Sequence, residues 1–137
     1  MRNKFHNIPI FSDIDTHILS TLIENRLIYA RSYCEGKTVY NQHDPCDTLD
    51  ILLSGSLIAY SLSPNGSATT MFEFRKGCIL GANLLFGEVN SYPLNIYCLK
   101  FCEIVHVTRE AVMELLHNYS FVMHYIRSLS QNSSGLN

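Results

Sequence analysis

Apolar positions change their spacing twice along this chain. Between Asp15 and Glu24 the residues Ile18, Leu19, Leu22 and Ile23 recur at helical intervals. Asp15 stands where an N-cap is needed, and Ile14 and Leu19 flank it as a hydrophobic staple, which predicts a short first helix. From Tyr33 to Val107 the pattern turns to short β-rich runs separated by glycines: Thr38 to Tyr40, Leu49 to Leu62, Ala68 to Phe74, Cys78 to Leu80, Leu94 to Leu99 and Cys102 to Val107. Pro64-Asn65-Gly66 divides two of these runs, and Asn-Gly supplies the positive φ angles of a tight hairpin. Helical spacing returns at Thr108, a cap for Arg109 to Leu116 with Val107 and Val112 as a second staple. Asn118 ends that helix, and another begins near Ser120, with Phe121, Val122, Tyr125, Ile126 and Leu129 on one side before it fades into Gln131 to Gly135. The predicted order is helix, all-β middle, helix, helix. The evenly spaced strands fit a sandwich, a barrel or a double-sheet jelly roll.

Length changes this picture only by limiting it. At ~150 residues per domain, 137 residues make one domain, 1–137, with no space for a separate catalytic domain. A net charge of −2, with 47% hydrophobic and 16% charged residues, fits a packed core and excludes disorder or a basic nucleic-acid platform. No apolar run reaches the ~20 residues of a membrane span, and Met1-Arg2-Asn3-Lys4 leads into polar sequence, so a cytoplasmic protein without membrane contact is expected. Five cysteines cannot all pair within one chain. The nearest approach to a metal or redox pair is Cys98-x3-Cys102; buried thiols, with the chain bending near Lys100, are the expectation for these two.

Several segments, in order, carry a family likeness: Ile10 to Ile14, Cys34 to Val39 with Gly36, Ile51 to Leu57 with Gly55, Phe74 to Gly81 with Gly77, and Thr108 to Val112. Together with Gly66, this arrangement resembles the cyclic-nucleotide-binding sensor domain of the Crp/Fnr family of bacterial transcription regulators. The resemblance implies a mainly β fold with flanking helices, the double-stranded β-helix or jelly-roll β-roll of that type. Helix plus roll would occupy about 10–107, and two C-terminal helices 108–130. It places the phosphate-binding cassette at Gly81 to Leu94. In that family an acidic side chain after the glycine receives the ribose hydroxyl, and an Arg about ten residues later pairs with the cyclic phosphate. This sequence has Ala82 and Tyr92 there, so cyclic AMP and cyclic GMP are not the expected effectors.

A small molecule of another kind is expected instead. Gly81, Ala82, Asn83, Leu84, Ser91, Tyr92, Pro93, Leu94, Met71 and Tyr125 are the candidate binding residues, with Asn95 a further polar group. Ordinary core packing is the competing reading for the apolar ones. The resemblance also makes the last helix a truncated dimerisation helix, giving a homodimer through Phe121, Val122, Tyr125, Ile126 and Leu129, against the alternative that this stripe packs on its own roll. It puts the DNA-reading helix-turn-helix beyond Asn137; the tail Gln131 to Asn137 has no basic cluster.

Catalysis and cofactors are not expected. A β-roll metal site needs closely spaced histidines, whereas His43 and His106 are far apart and His43-Asp44 reads as a turn. There is no Gly-x-Ser-x-Gly elbow, Ser54-Gly55-Ser56 reads as a strand corner, and Gly77-x3-Gly81 is too short for a P-loop. The iron–sulfur branch of the family has an N-terminal cysteine cluster, but no Cys precedes Cys34. The alternatives are a free-standing binding module for another partner and, behind it, a cupin-like metal enzyme.

Overall fold

The computed structural model describes residues 4–136, with side chains for 5–130. Two short 3-10 turns, Lys4–Asn7 and Pro9–Phe11, precede helix α1 (Thr16–Glu24). Six strands follow: β1 (Ile28–Tyr33), β2 (Thr38–Tyr40), β3 (Thr48–Leu62), β4 (Ala68–Arg75), β5 (Ile79–Leu80) and β6 (Asn95–Thr108). Helices α2 (Arg109–Leu115) and α3 (Tyr119–Leu136) complete the chain. It divides into a helical unit drawn from residues 1–29 and 107–137 and a β unit of residues 30–106.

In the helical unit the caps form as expected. The Asp15 carboxylate accepts from the His17 and Ile18 N–H groups at 2.9 and 3.2 Å, and the Thr108 hydroxyl accepts from Ala111 N–H at 3.3 Å. The staple residues Ile14, Leu19, Val107 and Val112 are all buried. Phe11, Leu19, Leu115 and Phe121 are fully enclosed, each contributing about 1.5–3 kcal/mol through burial. Asn118 caps the last helix by accepting from Phe121 N–H at 2.9 Å, while its amide donates to the Asp13 carbonyl. That helix does not fade at Gln131: its backbone stays helical to Leu136, and Asn137, with Met1 to Asn3, lies outside the described residues.

The β unit is mainly antiparallel. The strand order is β1-β6-β3-β4, with β2 paired to β6 and β5 to β3. Residues 48–52 of β3 are all buried, so this stretch is covered on both faces, and it holds Leu49 and Leu52 in the core beside Leu57, Leu85, Ile104 and Val105. The expected runs 94–99 and 102–107 form one strand, β6, that bends within itself. Residues four apart on a straight strand are separated by about 13 Å, yet the Cys98 and Cys102 sulfurs lie 3.1 Å apart. Lys100 and Phe101, both exposed, break the alternation at the bend. Opposite stands Gly55, with φ +85°; a Cβ there would overlap the Phe101 carbonyl, so the corner expected at Ser54-Gly55-Ser56 requires glycine.

Two details differ from the sequence reading. Strand β1 was not expected, because Ile28-Tyr29-Ala30-Arg31-Ser32-Tyr33 lacks clean alternation, and its burial runs from buried to exposed without a period of two. The β3–β4 turn is also not a two-residue Asn-Gly turn. Ser63 O accepts from Gly66 N–H, Ser63 N–H donates to Ser67 O (both 2.9 Å), and only Gly66 has positive φ, +87°. Pro64, with φ fixed near −65°, suits the first central position of a type I turn; Asn65 takes the second and Gly66 closes the loop. The Asn65 side chain accepts from Ser67 N–H at 3.0 Å and bonds the Ser63 hydroxyl.

Candidate functional site

The segment Gly81 to Leu94 is irregular, held between β5 and β6. It opens with a single turn in which Leu84 and Leu85 N–H groups donate to the Gly81 carbonyl at 3.0 and 2.9 Å. Its far end is fastened to residues 43–46: Tyr92 N–H donates to Asp44 O, His43 N–H to Tyr92 O and Cys46 N–H to Asn90 O, at 2.6 to 2.9 Å. His43 sits in this turn with φ +77°, exposed, as its sequence context predicts.

These backbone bonds aim Tyr92 inward. It is 3% exposed and stacks on Tyr40, with ring centroids 4.1 Å apart and 15° between planes. The Cys46 thiol donates to its hydroxyl at 3.7 Å. Burial, reinforced by the nearby Asp50 charge, raises the Tyr92 phenol far above its ordinary range, so it stays a neutral group. Ala82 is buried, and its side chain offers no polar atom. Positions 82 and 92 therefore present neither a carboxylate nor a cation.

Behind the stack lies a buried polar cluster that the sequence reading missed. Asp50, 1% exposed, accepts from the Thr48 hydroxyl at 2.6 Å, the Tyr40 hydroxyl at 2.5 Å and His106 Nδ1 at 2.7 Å. A carboxylate only accepts, so Nδ1 carries the proton of that bond. The other ring nitrogen of His106 lies 2.9 Å from the Tyr33 hydroxyl. Burial first, and then the Asp50 charge, raise the Tyr40 phenol beyond its usual range. The available signal was an aspartate inside the otherwise apolar run Leu49-Asp50-Ile51-Leu52, a strand covered on both faces.

The other candidate residues fall in different surroundings. Asn83 and Pro93 are exposed, while Leu84, Ser91 and Leu94 are half-buried. Asn95 accepts from Gln42 N–H at 2.8 Å and so fixes the loop before the cassette's fastening point. Met71 is 51% exposed on β4. Tyr125 belongs to the helical unit, where its ring packs against Phe121 with centroids 6.4 Å apart. That unit also has an open groove of about 560 Å³ lined by Asp13, Asp15, Glu114 and His117, none of them a predicted site residue. Among the described residues no three His, Cys, Asp or Glu side chains come together as a metal site, and no helix is long and apolar enough to cross a membrane.

A family model for the cyclic nucleotide-binding domain matches residues 30–119. The chain belongs to that family. No curated protein sequence matches it. Among solved structures, this cyclic nucleotide-binding domain is similar to a transcriptional regulator from Thermotoga maritima, with 20% identity, a TM-score of 0.74, and coverage of 85% of this chain and 89% of that one. It is also similar to the sensor domain of the transcriptional regulator DNR from Pseudomonas aeruginosa, at 16% identity and TM-score 0.73, covering 93% and 85%. A third is the catabolite activator protein of Thermus thermophilus, at 18% identity and TM-score 0.68, where the match covers 91% of this chain and 57% of that one. These likenesses show the fold, the mainly antiparallel β-roll with flanking helices.

The α3 stripe divides by burial. Phe121 is fully enclosed and Tyr125 is 7% exposed, so both are buried; Val122 and Leu129 are half-buried, and Ile126 is 48% exposed. Tyr119 at the start of α3 and Met113 on α2 are also well exposed, at 78% and 57%.

Proposed function

We propose that this domain is the effector-sensing module of a cytoplasmic Crp/Fnr-like transcription regulator, and that its effector is a small molecule other than cyclic AMP or cyclic GMP. The observation that carries this reading is Tyr92: where the family's cationic group would meet the phosphate stands a neutral phenol, 3% exposed and stacked on Tyr40. Converting that place to an anion site would mean adding a positive charge and opening the stack. The side chain of Ala82, also buried, supplies no acceptor for a ribose hydroxyl. An effector meeting this segment finds exposed Asn83 and half-buried Leu84, Ser91 and Leu94.

Signalling follows from population shift. A ligand that binds one arrangement of the module better than another shifts the equilibrium by its differential affinity, and α3 carries that shift to a DNA-binding helix-turn-helix outside residues 1–137. The module acts as a homodimer through the exposed part of the α3 stripe, Ile126 with Val122 and Leu129 beside it. Similarity to the DNR sensor domain supports this assignment. Reading the gene past the codon for Asn137 tests it: an open frame encoding a helix-turn-helix is expected, and a stop codon would overturn the transcriptional role.

A further inference from the structure

The bend of β6 brings two thiols together. Cys98 and Cys102 are both fully buried, with their sulfurs 3.1 Å apart, about 1 Å more than a disulfide bond. Both direct their S–H toward one acceptor, the Lys100 carbonyl, at 2.7 and 2.8 Å. The Tyr33 carbonyl lies 3.4 Å from Cys98 Sγ, and the Ser56 carbonyl 3.2 Å from Cys102 Sγ. The pair is thus held by three backbone carbonyls, and its closeness comes from the corner that Gly55 makes possible.

A third thiol belongs to the segment that adjoins Cys98. Cys34 is exposed, and residues on both sides of it touch Cys98: Tyr33, just before it, through the carbonyl just named, and Gly36, two positions on, by donating its N–H to Cys98 O at 2.7 Å. Burial, the adjoining Cys102 thiol and, more weakly, Cys34 push the Cys98 thiol up to about 12. Cys98 is therefore a protonated thiol at neutral pH, slow to react, and its burial leaves a sulfur on the adjoining segment, rather than a bulk oxidant, as the partner within reach.

We propose that Cys98 and Cys102 form a dithiol site that low-molecular-weight disulfides oxidise by way of the Cys34 thiol. The external disulfide RSSR gives up one RSH and leaves Cys34 as a mixed disulfide. The Cys98 sulfur attacks Cys34 Sγ, releasing the second RSH and forming a Cys34–Cys98 bond. Cys102 then attacks Cys98 Sγ, which restores the Cys34 thiol and leaves a Cys98–Cys102 disulfide. In sum, two protein thiols lose two electrons and two protons, and RSSR becomes two RSH.

The test uses the full chain, reduced and then exposed to oxidised glutathione without oxygen, followed by alkylation of the remaining thiols and tryptic mass mapping. Cleavage after Lys100 separates the two cysteines, so the bond joins peptide 77–100 to peptide 101–109. Cys78 shares the first peptide, and a Cys78→Ser background removes that ambiguity. The expected result is a linked pair of peptides, reversed by dithiothreitol. Formation in Cys34→Ser should be slower, on the order of tenfold, as loss of the surface thiol requires. Cys98 and Cys102 both still alkylated after unfolding, while Cys34 carries glutathione, would overturn the proposal, as would linkage equally fast in Cys34→Ser.

Discussion

Asp50 is the residue on which the interior of the β unit turns. Three donors converge on a carboxylate that is 1% exposed, so removing any partner leaves a polar group stranded away from water. Asp50→Ala or His106→Ala should each cost about 3–5 kcal/mol in urea unfolding. Asp50→Ala with His106→Ala should cost clearly less than the sum of the two single changes, because neither group is then left buried without the other. Additive losses would show that the two residues act independently. Titration offers a second check on the buried groups. Burial raises the Cys98 thiol from 9.0 to about 12 and shifts Cys46, Tyr40 and Tyr92 upward too. The native state therefore keeps protons that the unfolded chain releases, so stability is fully present below about pH 9 and falls as pH rises toward the native values. A urea midpoint unchanged from pH 9 to pH 11 would contradict this assignment of burial.

At the scale of elements, two glycines with nearly the same φ should behave differently. Gly66, φ +87°, projects into open space at the hairpin, and Gly66→Ala should cost only about 1–2 kcal/mol, the left-handed backbone penalty. Gly55→Ala adds a collision with the Phe101 carbonyl in the corner of β3 and β6, and should cost at least 3 kcal/mol, an estimate of roughly the same backbone penalty plus overpacking strain. Equal losses in thermal unfolding would mean that the corner yields. The strands that could be read from sequence were those with apolar runs and glycine punctuation, β2 to β5, and the helices whose caps are Asp15 and Thr108. Strand β1 could not be read that way, since neither face is consistently covered, and the union of 94–99 with 102–107 depended on a bend that only the backbone reveals. The irregular segment Gly81 to Leu94 was legible as a stretch between two strands; the polar cluster was not, because Asp50 and His106 are 56 positions apart and meet only across the sheet.

The molecule as a whole joins a family fold to a segment, Gly81 to Leu94, with no charged side chain at positions 82 and 92. If α3 forms the dimer seam, Ile126→Asp, an exposed position, should convert dimer to monomer in sedimentation without changing the circular dichroism spectrum. A dimer unaffected by that change would place the interface elsewhere. The central claim concerns the ligand. Titration calorimetry of the purified domain with cyclic AMP, and separately cyclic GMP, tests it most directly. No saturable heat is expected with either nucleotide at millimolar concentration, because the side chains of Ala82 and the stacked, neutral Tyr92 supply neither partner. Saturable binding in the micromolar range would show that the phosphate is held by other residues, and the proposal of a different effector would have to be given up.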